Sequence, residues 1–348
     1  MKKLSFLDKI ILFFNSIFAA LLLLSYFLPL VPPKSFGFIS VLSLFVPVLI
    51  LINLVFFIFW LVRFKKQFFL SLLVLLIGYK HVFGLYQFSS SPSPEEVLAI
   101  THQLKLLTYN VRNFAGNQKE WSKGKGFEDS IVNFVKTENP DVVCFEEFYP
   151  NKTIEKLSYP FHVANHGVGL YSKFPIINKG ELNVDSSVSG IIYADLAVNN
   201  DTIRIYAVHL QSLGVTDRLN TLENNEGKYD VKNDSKFFLK HISKGFWHQQ
   251  TQMEVLQQHL KNYPNNKTII CGDFNNTAYS YLYKKIRGDR FKDAFLDEGS
   301  GFGKTYEFKY FPLRIDYILT DDVFQVSEFK NYYVKFSDHY PISASFYW

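Results

Sequence analysis

Long apolar runs open the chain, and short ones fill the rest. Residues 10–31 form a 22-residue run without a charge, and residues 36–62 form 27 more. Each is longer than the roughly 18–20 apolar residues needed to cross a bilayer. A third run begins at Phe68 and is interrupted after 12 residues by Lys80 and His81. To span over 68–87, that segment must set Lys80 near the far interface, where its ammonium reaches water. The pattern predicts about three transmembrane α-helices, at 10–31, 36–62 and 68–87, within a membrane region of residues 1–88. Two spans plus an interfacial segment is the alternative. A cleaved leader fits less well, because the first run exceeds the usual apolar core and no A-x-A site follows it.

Ser89-Ser90-Ser91-Pro92-Ser93-Pro94-Glu95-Glu96 begins a polar, proline-punctuated linker over 89–102. Residues 103–348 then suffice for one sizeable core. Short apolar runs there read as buried strands: 104–111, 142–145, 168–171, 191–198, 203–210, 268–271, 315–319 and 342–346. Asn199-Asn200-Asp201 between two of them signals a hairpin. Helical spacing appears at Ile131, Phe134 and Val135, stopping before Pro140, and at Met253, Leu256 and Leu260, stopping before Pro264. The polar stretch 220–237 reads as a long surface loop. Many strands with few helices predict layered α/β sheets.

Charge sharpens this division. The formal net charge of +5 splits into +7 on residues 1–88 and −2 on the remainder. The excess base therefore lies beside apolar runs and does not mark a nucleic-acid-binding face. Lys2, Lys3 and Lys9 precede the first run, and Arg63, Lys65 and Lys66 separate the second from the third. Such segments stay cytoplasmic. Three spans then put the C-terminal domain outside the cytoplasm, and two would leave it inside. Two cysteines, Cys144 and Cys271, exclude a disulfide framework and a cysteine-rich zinc module.

Polar residues recur at the ends of the predicted strands. Asn110 closes the first and Glu146-Glu147 the second. His209 closes the fifth, and Gly272-Asp273-Phe274-Asn275 the sixth. Asp316 lies inside Arg314-Ile315-Asp316-Tyr317, and Ser337-Asp338-His339 precedes the last strand. Strand ends are rigidly held yet reachable from solvent. A lone Asp there is usually a turn residue and a lone His a structural one, so the weight rests on the ensemble. Oxygen-rich donors suit a hard cation such as Mg2+ or Mn2+, and histidines move protons or stabilise an oxyanion.

These segments resemble the endonuclease/exonuclease/phosphatase family. The resemblance rests on Leu107-Thr108-Tyr109-Asn110-Val111, Asp141-Val142-Val143-Cys144-Phe145-Glu146-Glu147, Val168-Gly169-Leu170-Tyr171-Ser172-Lys173, Ala207-Val208-His209-Leu210, Gly272-Asp273-Phe274-Asn275, Arg314-Ile315-Asp316-Tyr317-Ile318 and Ser337-Asp338-His339-Tyr340-Pro341. They occur in the family's order across most of residues 103–348. The resemblance implies an α/β four-layer sandwich of two packed, mostly antiparallel β-sheets flanked by helices, DNase I-like. By position it implies Asn110, Glu147 and Asp338 at the metal, and Asp273 as the residue activating water. Asn275 would orient phosphate, His209 would contact it and protonate the leaving oxygen, and His339 would stabilise the transition state. Asp316 would orient His339, reaching it across the sheet.

Three positions depart from the family's pattern or stay open. Glu146 replaces a common Gln and would add negative charge beside the metal. Arg112 stands where some nucleases carry an acid, which bears on a second metal. Lys173 is either a phosphate contact or a solvated strand edge. The implied activity is metal-dependent phosphodiester hydrolysis by an integral membrane protein without an obligate protein partner. Nuclease-type action ranks first and a phospholipid or other small phosphoester second. A non-catalytic phosphoryl-ligand binder ranks last, because the whole residue set is retained.

Overall fold

The computed structural model describes residues 4–88, 103–116, 126–184, 189–214, 231–263 and 265–348, with the backbone alone over 231–238. The predicted linker at 89–102 lies outside the described residues.

The amino-terminal part is helical: α1 (Phe6–Ser25), α2 (Pro33–Ser40), α3 (Val46–Val62), α4 (Phe68–Ile77) and α5 (Tyr79–Leu85). Ser5 caps α1 and forms a reciprocal capping box with Asp8. Phe6–Leu30, 25 residues, and Pro33–Val62, 30 residues, are long and apolar enough to cross a membrane. The third predicted span is not one straight helix, because α4 and α5 meet at a bend of 85°. Gly78 sits at that bend, against the Tyr26 ring. A Cβ there would lie 2.0 Å from Tyr26 Cζ, so only glycine lets the ring pack across. Buried polar side chains of α1, α3 and α4 pair across the bundle, as an apolar surrounding favours. Asn15 donates to Ser71 Oγ at 2.7 Å, and Trp60 Nε1 donates to Asn15 Oδ1 at 3.0 Å.

The two ends of the bundle differ. At one end Arg63 pairs with Asp8 at 3.0 Å. At the other the helices meet the C-terminal domain. Thr277 Oγ1 donates to the Ser43 carbonyl at 3.2 Å, and Tyr279 donates its hydroxyl to the His81 carbonyl at 3.2 Å. The Lys34 N–H donates to Gln250 Oε1 at 2.8 Å.

The C-terminal domain contains β1 (Gln103–Asn110), β2 (Val142–Glu146), β3 (Phe161–Asn165), β4 (Val168–Ser172), β5 (Ile176–Leu182), β6 (Gly190–Val198), β7 (Asp201–His209), β8 (Thr268–Asp273), β9 (Phe291–Asp293), β10 (Asp316–Asp321), β11 (Gln325–Asn331) and β12 (Ile342–Tyr347). Its helices are α6 (Glu128–Glu138), α7 (Val231–Lys261), α8 (Tyr281–Arg287) and α9 (Ala294–Glu298). Two six-stranded sheets form, in the orders β11-β12-β1-β2-β4-β3 and β5-β6-β7-β8-β10-β9. Each has one parallel pair, β1 with β2 and β7 with β8, and is otherwise antiparallel.

Side-chain alternation builds the layers. On β1, Leu104 and Leu106 face the second sheet, while Leu107 and Tyr109 face α6. On β8, Ile269 and Cys271 face the first sheet, while Ile270 faces α7 and α8. Four layers result, as the resemblance implied. All eight predicted strands are present, and α6 stops at Asn139, whose left-handed backbone (φ 48°) ends it ahead of Pro140. The predicted loop over 220–237 is corrected in its last part: residues 231–237 are the first turns of α7, and 220–230 lie outside the described residues.

Gly272 marks the closest approach of β7 to β8. Its φ is +127°, and a Cβ would sit 2.1 Å from the Val208 carbonyl oxygen. Gly272→Ala adds overpacking of about 1–3 kcal/mol to a backbone strain of similar size. The midpoint of thermal unfolding of the full chain in detergent should fall by at least about 4 °C. An unchanged midpoint would mean that the two strands separate there without cost.

Candidate active site

The parity that fills the space between the sheets also supplies the site. Leu104 and Leu106 on β1 are followed on the same face by Thr108 and Asn110. Val142 and Cys144 on β2 lead to Glu146, Ile205 and Ala207 on β7 lead to His209, and Ile269 and Cys271 on β8 lead to Asp273. Both parallel pairs therefore end together, with Asn110 opposite Glu146 and His209 opposite Asp273. On β10, Asp316 stands opposite Asp273.

Contacts draw these ends into one cluster. Asn110 Nδ2 donates to Asp273 Oδ2 at 3.0 Å and to Glu147 Oε1 at 3.3 Å. Asn275 donates its N–H to Asp273 Oδ1 at 2.7 Å and its Nδ2 to the Leu210 carbonyl at 2.9 Å. His339 Nδ1 contacts both Asp316 oxygens, at 3.1 and 3.0 Å, and its Nε2 lies 3.7 Å from Asp273 Oδ2. The Asp316–His339 pair joins the two sheets, not two strands of one sheet as the sequence suggested, because β10 and β12 belong to different sheets. His209 Nε2 lies 3.9 Å from both Glu147 Oε1 and Asp273 Oδ2.

The two adjacent glutamates have opposite fates. Glu146 follows strand parity inward, is fully buried and accepts from Thr108 Oγ1 at 2.7 Å. Burial, then the neighbouring Cys271 and the Asp316 and Asp273 carboxylates, raise its pKa well above the ordinary carboxyl range. The expected extra negative charge beside the site is therefore disfavoured. Glu147 has a left-handed backbone, φ 46°, which breaks the alternation and turns its carboxylate into the cleft. Asn275, φ 50°, is similarly held at the site. Burial and Asp338 raise the Glu147 pKa against the opposing pull of His339 and Arg112.

Asp338 lines the same cleft, but its carboxylate faces Arg112 Nε at 3.6 Å. Lys173 is at the opposite end of the sheet, beyond Ser172, where it pairs with Asp141 at 3.2 Å, so it is a solvated strand edge. Sequence reasoning missed Tyr306, whose ring stands 4.8 Å from that of His339, and Thr305, whose Oγ1 accepts from the N–H groups of Ile315 and Asp316. It also missed Gln249 on α7, which donates to the Asn275 carbonyl at 3.1 Å. No strand-end signal marks these three.

Charge sets what the cluster can do. Burial, strengthened by Asp316, pushes the Asp273 carboxyl up to about 8 despite the opposing pull of His339. Burial alone would lower His339, but the Asp316 and Asp273 carboxylates hold it well above the ordinary imidazole range. The pair sets a carboxyl that exchanges its proton near pH 8 beside a protonated imidazole. Asp273, Asp316 and His339 bring donor atoms within 4.8 Å of one another. Both Asp316 oxygens already meet His339 Nδ1, so this trio is better suited to holding a proton than a cation. The cleft around Glu147, whose side chain is 40 % exposed, offers carboxylate and amide oxygens, the donor type that fits a hard divalent ion.

Comparison with known proteins agrees with this geometry. A family model described as endonuclease/exonuclease/phosphatase family matches residues 107–339. A second model, described only as a domain of unknown function, matches residues 8–84. No curated protein matches the chain. The endonuclease/exonuclease/phosphatase from Bacteroides vulgatus superposes with a TM-score of 0.51 at 16% identity, covering 71% of this chain and 99% of that one. A Bacteroides thetaiotaomicron family protein gives 0.50 at 15% identity, covering 70% and 97%. One from Beutenbergia cavernae gives 0.50 at 16%, covering 71% and 72%. At these identities the structures establish a common fold, and with the family model spanning most of both sheets and the site, the chain belongs to the endonuclease/exonuclease/phosphatase family.

Proposed function

We propose that this protein is a membrane-anchored, divalent-metal-dependent phosphoesterase that hydrolyses a phosphodiester. The observation that carries the reading is a cleft lined by Glu147, Asn275 and His339, with the buried Asp273 directly behind them, 3.7 Å from His339 Nε2 and hydrogen-bonded by Asn110 and Asn275. Glu147, with Asn110 and Asp338, is the set that would hold Mg2+ or Mn2+. When bound, such an ion neutralises charge on the phosphoryl oxygens.

The chain's own groups supply the rest. In its ionised form Asp273 takes the proton of the attacking water. The water oxygen bonds to phosphorus, and the ester P–O bond breaks with its electron pair going to the leaving oxygen. His209 returns a proton to that oxygen. Asn275 orients the phosphate through the amide that Asp273 and the Leu210 carbonyl also hold. His339, kept charged by Asp316, stabilises the negative charge that builds on the phosphoryl group. A nucleic-acid strand and a phospholipid head group present the same reacting group to this machinery. A phosphoryl-ligand binder without catalysis has no use for a carboxyl tuned as a base.

Membrane anchoring is supported by the two long apolar helices. An extracytoplasmic catalytic domain is supported by the basic residues near the Asp8–Arg63 end of the bundle, away from the domain. A phosphatase reporter fused after residue 348 should be active only outside the cytoplasm. A cytoplasmic reporter signal would mean that the bent third segment does not cross.

Glu147→Gln keeps the shape and removes the charge. Hydrolysis of bis-(p-nitrophenyl) phosphate should fall at least about tenfold, with partial rescue at high Mg2+. Wild-type activity should vanish in EDTA. Full activity of the variant at low Mg2+ would remove Glu147 from the metal set.

His339→Ala should cost roughly 10²–10⁴-fold. Asp316→Asn removes the carboxylate that favours the imidazolium, so the His339 pKa falls. The charged form is then lost at a lower pH, and the alkaline limb of the pH–rate profile moves to lower pH. The double variant should be little worse than His339→Ala alone. Additive losses would separate the two residues.

A further inference from the structure

The cleft that holds the catalytic residues has two kinds of wall. Its floor is polar, with Glu147, Asn275, Asp338 and His339. The rest of its lining is largely apolar: Leu44 packed with Leu213, Phe308 in ring contact with Phe311, and Leu313. Leu44 does not belong to the catalytic domain. It lies in the short 3-10 turn Val41–Phe45 that leads directly into α3, within the 30-residue apolar helix Pro33–Val62. It packs on a buried cluster of Val41, Leu213, Ile242 and Phe246, so the join between bundle and domain is itself a cleft wall. The Thr277–Ser43 hydrogen bond fixes this wall two residues beyond Asn275.

The level of the bilayer surface can be read from the same join. Trp247 on α7, 45% exposed, lies beside Lys34, whose ammonium is 5.4 Å from the ring centroid. Phe38 and Phe45, 65% and 52% exposed, flank the turn that carries Leu44. Tryptophan and lysine next to bare aromatic and aliphatic side chains is the composition of a membrane interface. Across the cleft, the segment from Thr305 to Leu313 carries Phe308, Tyr310 and Phe311, and Tyr310 is 58% exposed. Among the described lining residues the only Lys or Arg is Arg112, which already faces Asp338. A nucleic-acid backbone is held by a track of cations, and an amphiphile by an apolar wall above a polar floor.

We infer that the substrate of this site is a phospholipid of the bilayer in which the bundle sits, its phosphodiester on the polar floor and its apolar part against Leu44, Leu213, Phe308 and Phe311. The inference rests on the membrane-anchored phosphoesterase reading and adds the substrate class to it. The turn Val41–Phe45 then acts in specificity, because it completes the cleft that the catalytic domain leaves open on that side. The bond chemistry is the hydrolysis written above, and the apolar product remains in the leaflet.

The test uses the full chain reconstituted in vesicles of phosphatidylcholine, phosphatidylglycerol and sphingomyelin with Mg2+ or Mn2+. Parallel arms contain glycerophosphocholine, bis-(p-nitrophenyl) phosphate and a single-stranded DNA oligonucleotide. Lipid loss and water-soluble phosphate products are followed by mass spectrometry. At least one vesicle lipid should be hydrolysed at least about tenfold faster than glycerophosphocholine, which has the same head group without chains, or than DNA. Leu44→Asn and Phe311→Ser should each lower the ratio of lipid to bis-(p-nitrophenyl) phosphate hydrolysis at least about tenfold, the effect of removing one apolar contact from a recognition pocket. Measuring a ratio at two separated wall positions keeps the test independent of a general loss of fold in either variant. Hydrolysis of the soluble ester or of DNA with intact vesicle lipids would overturn the lipid inference and leave the phosphoesterase reading standing. An unchanged ratio in both variants would also overturn it. No hydrolysis in any arm would overturn both.

Discussion

The alternation of side chains along a strand is the constraint on which the rest of this structure depends. Two sheets can pack only if each presents one apolar face to the other. In this chain the same register that sends Leu104, Leu106, Ile269 and Cys271 into that space continues to the strand ends and delivers Asn110 and Asp273 there. Catalytic side chains and core side chains are thus successive positions of one pattern. A slip of one residue on β8 would turn Asp273 toward α7 and expose the core face together. The site inherits its rigidity from the core for this reason.

Burial has a chemical consequence at each of these positions. A carboxyl placed in the seam between sheets meets little water, so its proton is retained unless a partner charge intervenes. Glu146 accepts from Thr108, and burial with its acidic neighbours shifts it toward the protonated form. Asp273 has His339 on one side and Asp316 on the other, and its carboxyl settles at about 8. His339 receives two carboxylates and keeps its proton. Glu147 escapes the seam through one left-handed residue conformation and becomes the exposed acid of the set.

The sequence made the interior of the fold legible and its margins obscure. The eight apolar runs correspond to β1, β2, β4, β6, β7, β8, β10 and β12, all interior strands. The four strands it did not reveal are β3, β5, β9 and β11, the four sheet edges. An edge strand such as β5, Ile176–Leu182, buries little of its length and carries Asn178, Lys179 and Glu181, so it leaves no apolar run. Site residues were legible where they ended a run. Tyr306, Thr305 and Gln249 lie in a loop and a helix, and only the folded chain brings them to the cluster. Leu44 looked like one more apolar residue of a membrane helix, because the chain separates it from Asn275 by more than half its length.

The raised pKa of Glu146 changes how the domain looks from a distance. Residues 89–348 carry a formal charge of −2, counted with every carboxyl ionised. Burial shifts Glu146 toward its protonated form, and Asp273, raised to about 8, is mostly protonated near neutral pH. The formal count therefore overstates the negative charge that an approaching anion meets, and beyond a Debye length of about 8–10 Å what remains is screened. Encounter with an anionic substrate then needs no long-range electrostatic steering and is left to diffusion and to short-range contacts at the cleft mouth.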